Sequence, residues 1–206
     1  MGHDISTKIT RKDVASALLF IVQKTVRRFD SLADAEKADR EFYKKLSGNE
    51  RLQTLVELLN HAPEQRSEFL ESLNSRGIDY VIVGAHSLAF HGRPRYTGDL
   101  DILVRATPEN AAKLIDLLNH FGFADAGFKE SDFTEPEQLI QLGRLPNRID
   151  LLTSITGVTS DEAFTSKVPA ELDGIPVFIL NKDALIRNKR AVGRPQDIAD
   201  LTTLES

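Results

Sequence analysis

Apolar residues in the first third of the chain recur at helical spacing. Ala15, Leu18, Leu19, Val22 and Val26 share one face behind a capping box at Thr10 and Asp13. Ser31 with Asp34 repeats the start signal, and Gly48 is a natural stop. Asn49 caps a third helix with Leu52, Leu55, Val56 and Leu59 on one side. Pro63 suits the first turn of a fourth, which packs through Phe69, Leu70 and Leu73 and ends at Gly77. Residues 1 to about 76 are therefore expected to be helical throughout. At Val81 the pattern changes. The stretch VIVGAHSLAFHGRPRYTGDLDILV reads as a strand ending in Gly84, a short helix closed by Gly92, an arginine-bearing loop, and a second strand carrying Asp99 and Asp101.

Beyond that stretch, Thr107-Pro108-Glu109 opens a helix by cap, proline and acid in the first turn. Ala112, Leu114, Ile115, Leu117 and Leu118 supply its apolar side, and Gly122 ends it. Glu137 to Leu142 and Arg148 to Leu152 read as strands joined by a turn with Gly143, Pro146 and Asn147. Ser160 to Lys167 reads as a short helix, and Asp173-Gly174 as a hairpin turn between VPAEL and IPVFIL. Asn181 caps a helix that Gly193 and Pro195 break, and a last helix runs from Pro195 to Leu204. The expected architecture is α/β (α+β): a small mixed sheet flanked by helices over residues 61–206, preceded by a helical extension over residues 1–60.

Composition narrows the function classes. With 41% apolar and 28% charged residues the balance is that of a soluble globular protein. The chain has no cysteine, which excludes disulfides and thiolate metal sites and fits a cytoplasmic location. No apolar run approaches a membrane span, so no membrane partner is expected. A net charge of −5 argues against an all-over nucleic-acid coat, though basic clusters on one face could still hold RNA or a triphosphate.

The candidate chemistry lies around the change of pattern. Strand side chains alternate, so Asp99 and Asp101 share a face about 6.5–7 Å apart along the backbone, while Leu100 and Ile102 point into a core. Paired carboxylates on a rigid strand suit Mg²⁺, with Mn²⁺ as the alternative, because such ions take oxygen ligands and leave positions for substrate phosphates. Gly84-Ala85 before a helix suits a phosphate, since helix-start N–H groups point outward and little side-chain bulk intervenes. Ser87 is the nearby hydroxyl that could join them. Arg93 and Arg95, just ahead of Asp99, could clamp phosphate or be ordinary loop charges, with the two readings about even. Each feature alone is more often a solvated strand face or a turn. Asp150 stands among Ile149, Leu151 and Leu152, and a lone carboxylate there needs either an ion pair with Arg148 or Arg144 or a role in a site. His86 and His91 lack paired ligand spacing and read as packing or capping residues.

Taken together, Val83, Gly84, Ala85, Asp99, Leu100, Asp101 and Ile102 resemble the signature of DNA-polymerase-β-like nucleotidyltransferases. That pattern has an apolar residue, Gly, a small residue, a short helix, then Asp-apolar-Asp-apolar on the next strand. Many members carry Ser or Gly where this chain has Ala85. The resemblance implies that Asp150 is a third metal carboxylate on a neighbouring strand. The segment LIRNKRAVGRPQDIADL is similar to the C-terminal motif of AbiEii-like nucleotidyltransferases, matching at Lys189, Arg194, Asp197, Asp200 and Leu201. The family places its lysine and acid near the bound nucleotide, which implies that Lys189 neutralises a triphosphate and Asp197 orients it. It further implies transfer of a nucleoside monophosphate from an NTP to an RNA such as a tRNA 3′ end, in a type IV toxin–antitoxin pair with an antitoxin partner. The stretch ADREFYKKLSGNERLQTLVELL is similar to a small helical protein often encoded beside such transferases, which implies a fused partner. Transfer to an aminoglycoside- or lincosamide-type drug, transfer to a protein, and an inactive binding module are the alternatives.

Overall fold

The computed structural model describes residues 26–29, 31, 34, 37, 38, 45, 66–91, 97–145 and 147–205. The strands are β1 Val26–Phe29, β2 Tyr80–Ile82, β3 Asp99–Val104, β4 Leu139–Leu142, β5 Arg148–Leu152, β6 Val168–Leu172 and β7 Ile175–Ile179. Among the described residues they form one mixed sheet in the spatial order β1-β4-β5-β3-β2-β7-β6. The β3–β5 and β2–β7 pairs are parallel and the others antiparallel. Among the described residues the helices are α1 at residues 66–75, α2 Gly84–His91, α3 Pro108–Leu118, α4 Ser131–Thr134, α5 Ser160–Thr165, α6 Lys182–Val192 and α7 Pro195–Leu204, and Asp34, Lys37, Ala38 and Lys45 are also helical.

Period-two alternation sorts the strand residues between two cores. On one face Leu100, Ile102 and Val104 of β3 join Ile82, Ile140 and Leu151 beneath Phe69, Leu70 and Leu73 of α1 and Leu114, Leu117 and Leu118 of α3. On the other, Val81, Val83 and Leu103 pack against Leu88 of α2, Phe164 of α5, Leu185 of α6 and Leu204 of α7. This second face is also the one toward which Asp99, Asp101, Arg148 and Asp150 alternate. It is apolar under the helices and polar across the amino-terminal half of β3 and the adjoining strands.

Local signals set the element ends. Thr107 caps α3 by accepting from the Asn110 N–H. Gly122, at φ 82°, breaks the chain out of a short π-turn at Asn119–Phe123. Asn181 caps α6 through the Ala184 N–H, and Gly193 ends it in the left-handed conformation.

One expectation is overturned at the amino terminus. Val26–Phe29 is a strand, paired antiparallel with β4, and not the end of a helix. Its helical spacing yields to the unpaired edge of β4, whose N–H and C=O groups need partners. The sheet of residues 61–206 therefore takes its outer strand from the segment assigned to the extension. At Ser31 the expected helix-start contact is present, since the Asp34 N–H donates to the Ser31 hydroxyl at 3.2 Å. The helix around Ala15–Val22, the one after Asn49, and the loop bearing Arg93 and Arg95 lie outside the described residues. No helix among the described residues is long and apolar enough to cross a membrane.

Candidate metal and nucleotide site

The parallel pairing of β3 with β5 brings the three carboxylates together. Its register sets Asp101 opposite Asp150 and Asp99 opposite Arg148. Side chains in register project the same way, and ligand oxygens of Asp99, Asp101 and Asp150 lie within 4.8 Å of one another. Asp150 is buried, while Asp99 and Asp101 are half-buried at the open end of β3. A hard divalent cation fits that donor set of oxygens alone, and soft-metal ligands are absent from it.

Asp150 is at once in the carboxylate cluster and in an ion pair. The Arg148 guanidinium, only 4% exposed, donates Nε to Asp150 Oδ1 at 2.6 Å and Nη2 to Oδ2 at 2.9 Å. Nη2 also reaches Asp99 Oδ2 at 2.8 Å. The buried Gln141 amide donates to Asp150 Oδ2 at 3.3 Å from β4, and the Thr97 hydroxyl donates to Asp99 Oδ1. Neither Gln141 nor Thr97 is among the residues that the sequence reading picks out. The signal for Gln141 was there, a lone amide inside the apolar strand LIQL.

Burial raises the pKa of Asp101 to about 7, with the charges of Asp99 and Asp150 adding to it and Arg148 and Arg194 opposing. Asp150 is raised to about 6, again first by burial, with Arg148 as the main opposing charge. Asp101 and Asp150 therefore favour keeping protons in the metal-free site, and a divalent cation would remove that tendency.

Gly84 sits directly over the cluster. It starts α2 at φ 61°, and a Cβ there would overlap Asp101 Oδ2 and lie 2.7 Å from its carboxyl carbon. Glycine is thus required twice, for its left-handed backbone and for the carboxylate beside it. The Val83 N–H donates to the Asp101 carbonyl at 3.0 Å and fixes the turn against β3. First-turn N–H groups of α2 have no carbonyl one turn back, and here they start beside the acidic cluster. Ala85 is buried at this start.

The structure places the other candidates as follows. Ser87 is fully buried, and its hydroxyl donates to the Leu180 carbonyl at 3.1 Å, pinning α2 to the exit of β7. His91 Nε2 meets the same carbonyl at 2.6 Å, a packing role, and His86 is half-buried with its pKa lowered chiefly by burial. Lys189 is buried, with Nζ at 2.7 Å from Asp197 Oδ1 and 2.8 Å from Asp200 Oδ2. Its ammonium is thereby committed to two carboxylates. Asp197 also accepts from Arg194 Nε at 2.7 Å and from the Arg194 N–H at 3.3 Å, which caps α7. Burial alone would raise the Asp197 pKa, but the bonds from Arg194 and Lys189 prevail and lower it. Arg194 is the member of this network whose charge is felt at Asp101.

No family model matches this chain, and no curated protein matches it either. Among solved structures it is similar to one described as an antigenic nucleotidyltransferase-like protein from Paracoccidioides brasiliensis. The TM-score is 0.44 and the identity 19%, with 67% of this chain and 72% of that one covered.

Proposed function

We propose that the chain is a metal-dependent nucleotidyltransferase that moves a nucleoside monophosphate from an NTP to an acceptor hydroxyl and releases pyrophosphate. The observation that carries this reading is the register of β3 against β5, which gathers the oxygens of Asp99, Asp101 and Asp150 within 4.8 Å, with Gly84 starting α2 beside them. Asp99, Asp101 and Asp150 would hold Mg²⁺ or Mn²⁺. Such ions, when bound, neutralise triphosphate charge and make an acceptor hydroxyl more acidic.

The protein groups divide the rest of the work. Gly84 and Ala85 offer N–H groups to phosphate oxygens without side-chain bulk. Arg93 and Arg95 add positive charge from the preceding loop. In the transfer, the acceptor oxygen bonds to the α-phosphorus as the bond to the β-phosphate oxygen breaks, and the electron pair leaves with pyrophosphate. Asp150 would take the hydroxyl proton once the acceptor is in place. Ser87 contributes from behind by holding α2 in place. Lys189 acts in the same way, fixing Asp197 and through it Arg194, a cation whose charge, like that of Arg148, reaches Asp101. An RNA acceptor, a tRNA 3′ end foremost, and an antitoxin partner come from the resemblance to the AbiEii-like group, and a cytoplasmic setting from the cysteine-free composition.

The test is incubation of the protein and Mg²⁺ with each labelled ribonucleoside triphosphate and total RNA, beside Asp101→Asn. Label in a tRNA-sized band only with intact Asp101 is the expected result. Equal labelling by both proteins would overturn the metal assignment. Metal and nucleotide binding with no labelled RNA would transfer the search to small-molecule and protein acceptors.

A further inference from the structure

Arg148 makes three hydrogen bonds to oxygens of two carboxylates in the cluster, all between 2.6 and 2.9 Å. An arginine is charged at every relevant pH, and this one is nearly out of solvent. Without it, Asp150 would be a buried carboxylate facing two others across adjoining strands, an arrangement that strongly disfavours ionisation. With it, both oxygens of Asp150 and Oδ2 of Asp99 are fixed in direction. The same bonds take electron density and space that a divalent cation would otherwise use. Asp101 is different. It feels the charge of Arg148, which opposes the rise of its pKa.

We infer that Arg148 is a positioning residue that holds Asp99 and Asp150 in ligating directions and competes with the metal for them, so that it sets how tightly the site binds divalent cations. This rests on the metal reading above and extends it to a residue outside the carboxylate triad. The competition follows from charge. A guanidinium within hydrogen-bond distance of two ligands repels any cation they would share, and its removal strengthens metal binding although it weakens the metal-free fold. A residue with a merely structural role would lower metal-free and metal-bound stability alike and leave metal affinity unchanged.

The experiment measures Mn²⁺ binding by calorimetry and the melting temperature in chelator and in excess Mn²⁺, using the full chain. Wild type is compared with Arg148→Met and Arg148→Lys. Arg148→Met should melt lower than wild type in chelator, gain more on adding Mn²⁺, and bind Mn²⁺ at least about tenfold more tightly. Arg148→Lys, a point charge without the planar fork, should bind a few-fold more tightly than wild type, and it serves if the methionine variant does not fold. Unchanged or weaker Mn²⁺ binding in a folded variant, with wild type binding normally, would overturn the role of Arg148 alone. No Mn²⁺ binding and no melting shift in wild type would overturn the metal reading on which it rests.

Discussion

A methyl group on residue 84 would overlap Asp101 Oδ2, so the distance between α2 and β3 is set by the absence of one carbon atom. Gly84→Ala forces either the left-handed backbone or the carboxylate to give way. The backbone term alone is about 1–2 kcal/mol for an L-residue at positive φ. Asp101 must rotate as well, out of line with Asp99 and Asp150. The expected outcome is a loss of at least about 1–2 kcal/mol in urea melts, together with weaker Mn²⁺ binding. Full metal affinity in a folded Gly84→Ala protein would show that the close approach does not shape the site. The turn at Gly84 and the shared face of Asp99 and Asp101 were legible in the sequence because each is local, a turn before a helix or alternation along one strand. Asp150 was half legible. A carboxylate in an apolar strand announces that it needs a partner, but the sequence could not choose between Arg148 and a metal cluster. The structure puts both Arg148 and the carboxylates of Asp99 and Asp101 around that one side chain, because β5 carries Arg148 and Asp150 on the same face.

The clearest element-scale lesson lies in α6 and α7, which are tied by a buried ion network and not by apolar contact alone. Lys189 projects from the last turn of α6 to Asp197 and Asp200 in α7, with side chains no more than 8% exposed. The spacing of these residues was visible in LIRNKRAVGRPQDIADL, but their burial was not, because it depends on how the two helices fold back at Gly193. Removing the cation leaves two carboxylates without it. Lys189→Met should therefore cost about 3–5 kcal/mol, as expected for a broken buried pair. Lys182→Met, exposed on the same helix, should change stability by less than about 0.5 kcal/mol. If the two variants melt alike, the network is not what joins the helices. At the other end of the sheet, β1 was misread because VRRF continues a helical spacing and carries no strand signal of its own. Pairing with β4 decides its state, and pairing partners far apart in sequence cannot be read from either segment. Deleting residues 1–60 should expose the β4 edge beside Gln141, lower the melting temperature and promote self-association visible by size-exclusion chromatography. A truncated protein that stays monomeric and equally stable would show that β1 is dispensable.

Across the whole molecule, the acidic cluster should make stability depend on pH in a direction that metal reverses. Asp101 and Asp150 have pKa values of about 7 and about 6 in the fold, against an ordinary value near 3.8. Between about pH 4 and pH 7 the metal-free native state therefore holds protons that the unfolded chain has lost. Stability from these two groups is fully present below the unfolded value and falls away as pH rises through the folded ones. Asp79 and Asp197, both shifted down, act in the acid range and lose their contribution as pH drops below the ordinary carboxylate value. His86, also shifted down, opposes the trend within the window, since its neutral folded form loses stability as pH falls below 6.5. Subtraction isolates the cluster, because Asp101→Asn keeps His86 and removes the largest raised carboxylate. In chelator, the stability of wild type relative to Asp101→Asn should fall as pH is raised from about 5 to about 7.5. In excess Mg²⁺ the ligands must be ionised to bind, so the same difference should rise over that interval. Denaturant melts at the two pH values, with and without metal, give all four numbers. A difference that ignores both pH and Mg²⁺ would mean that Asp101 neither holds a proton in the metal-free fold nor takes part in holding a cation.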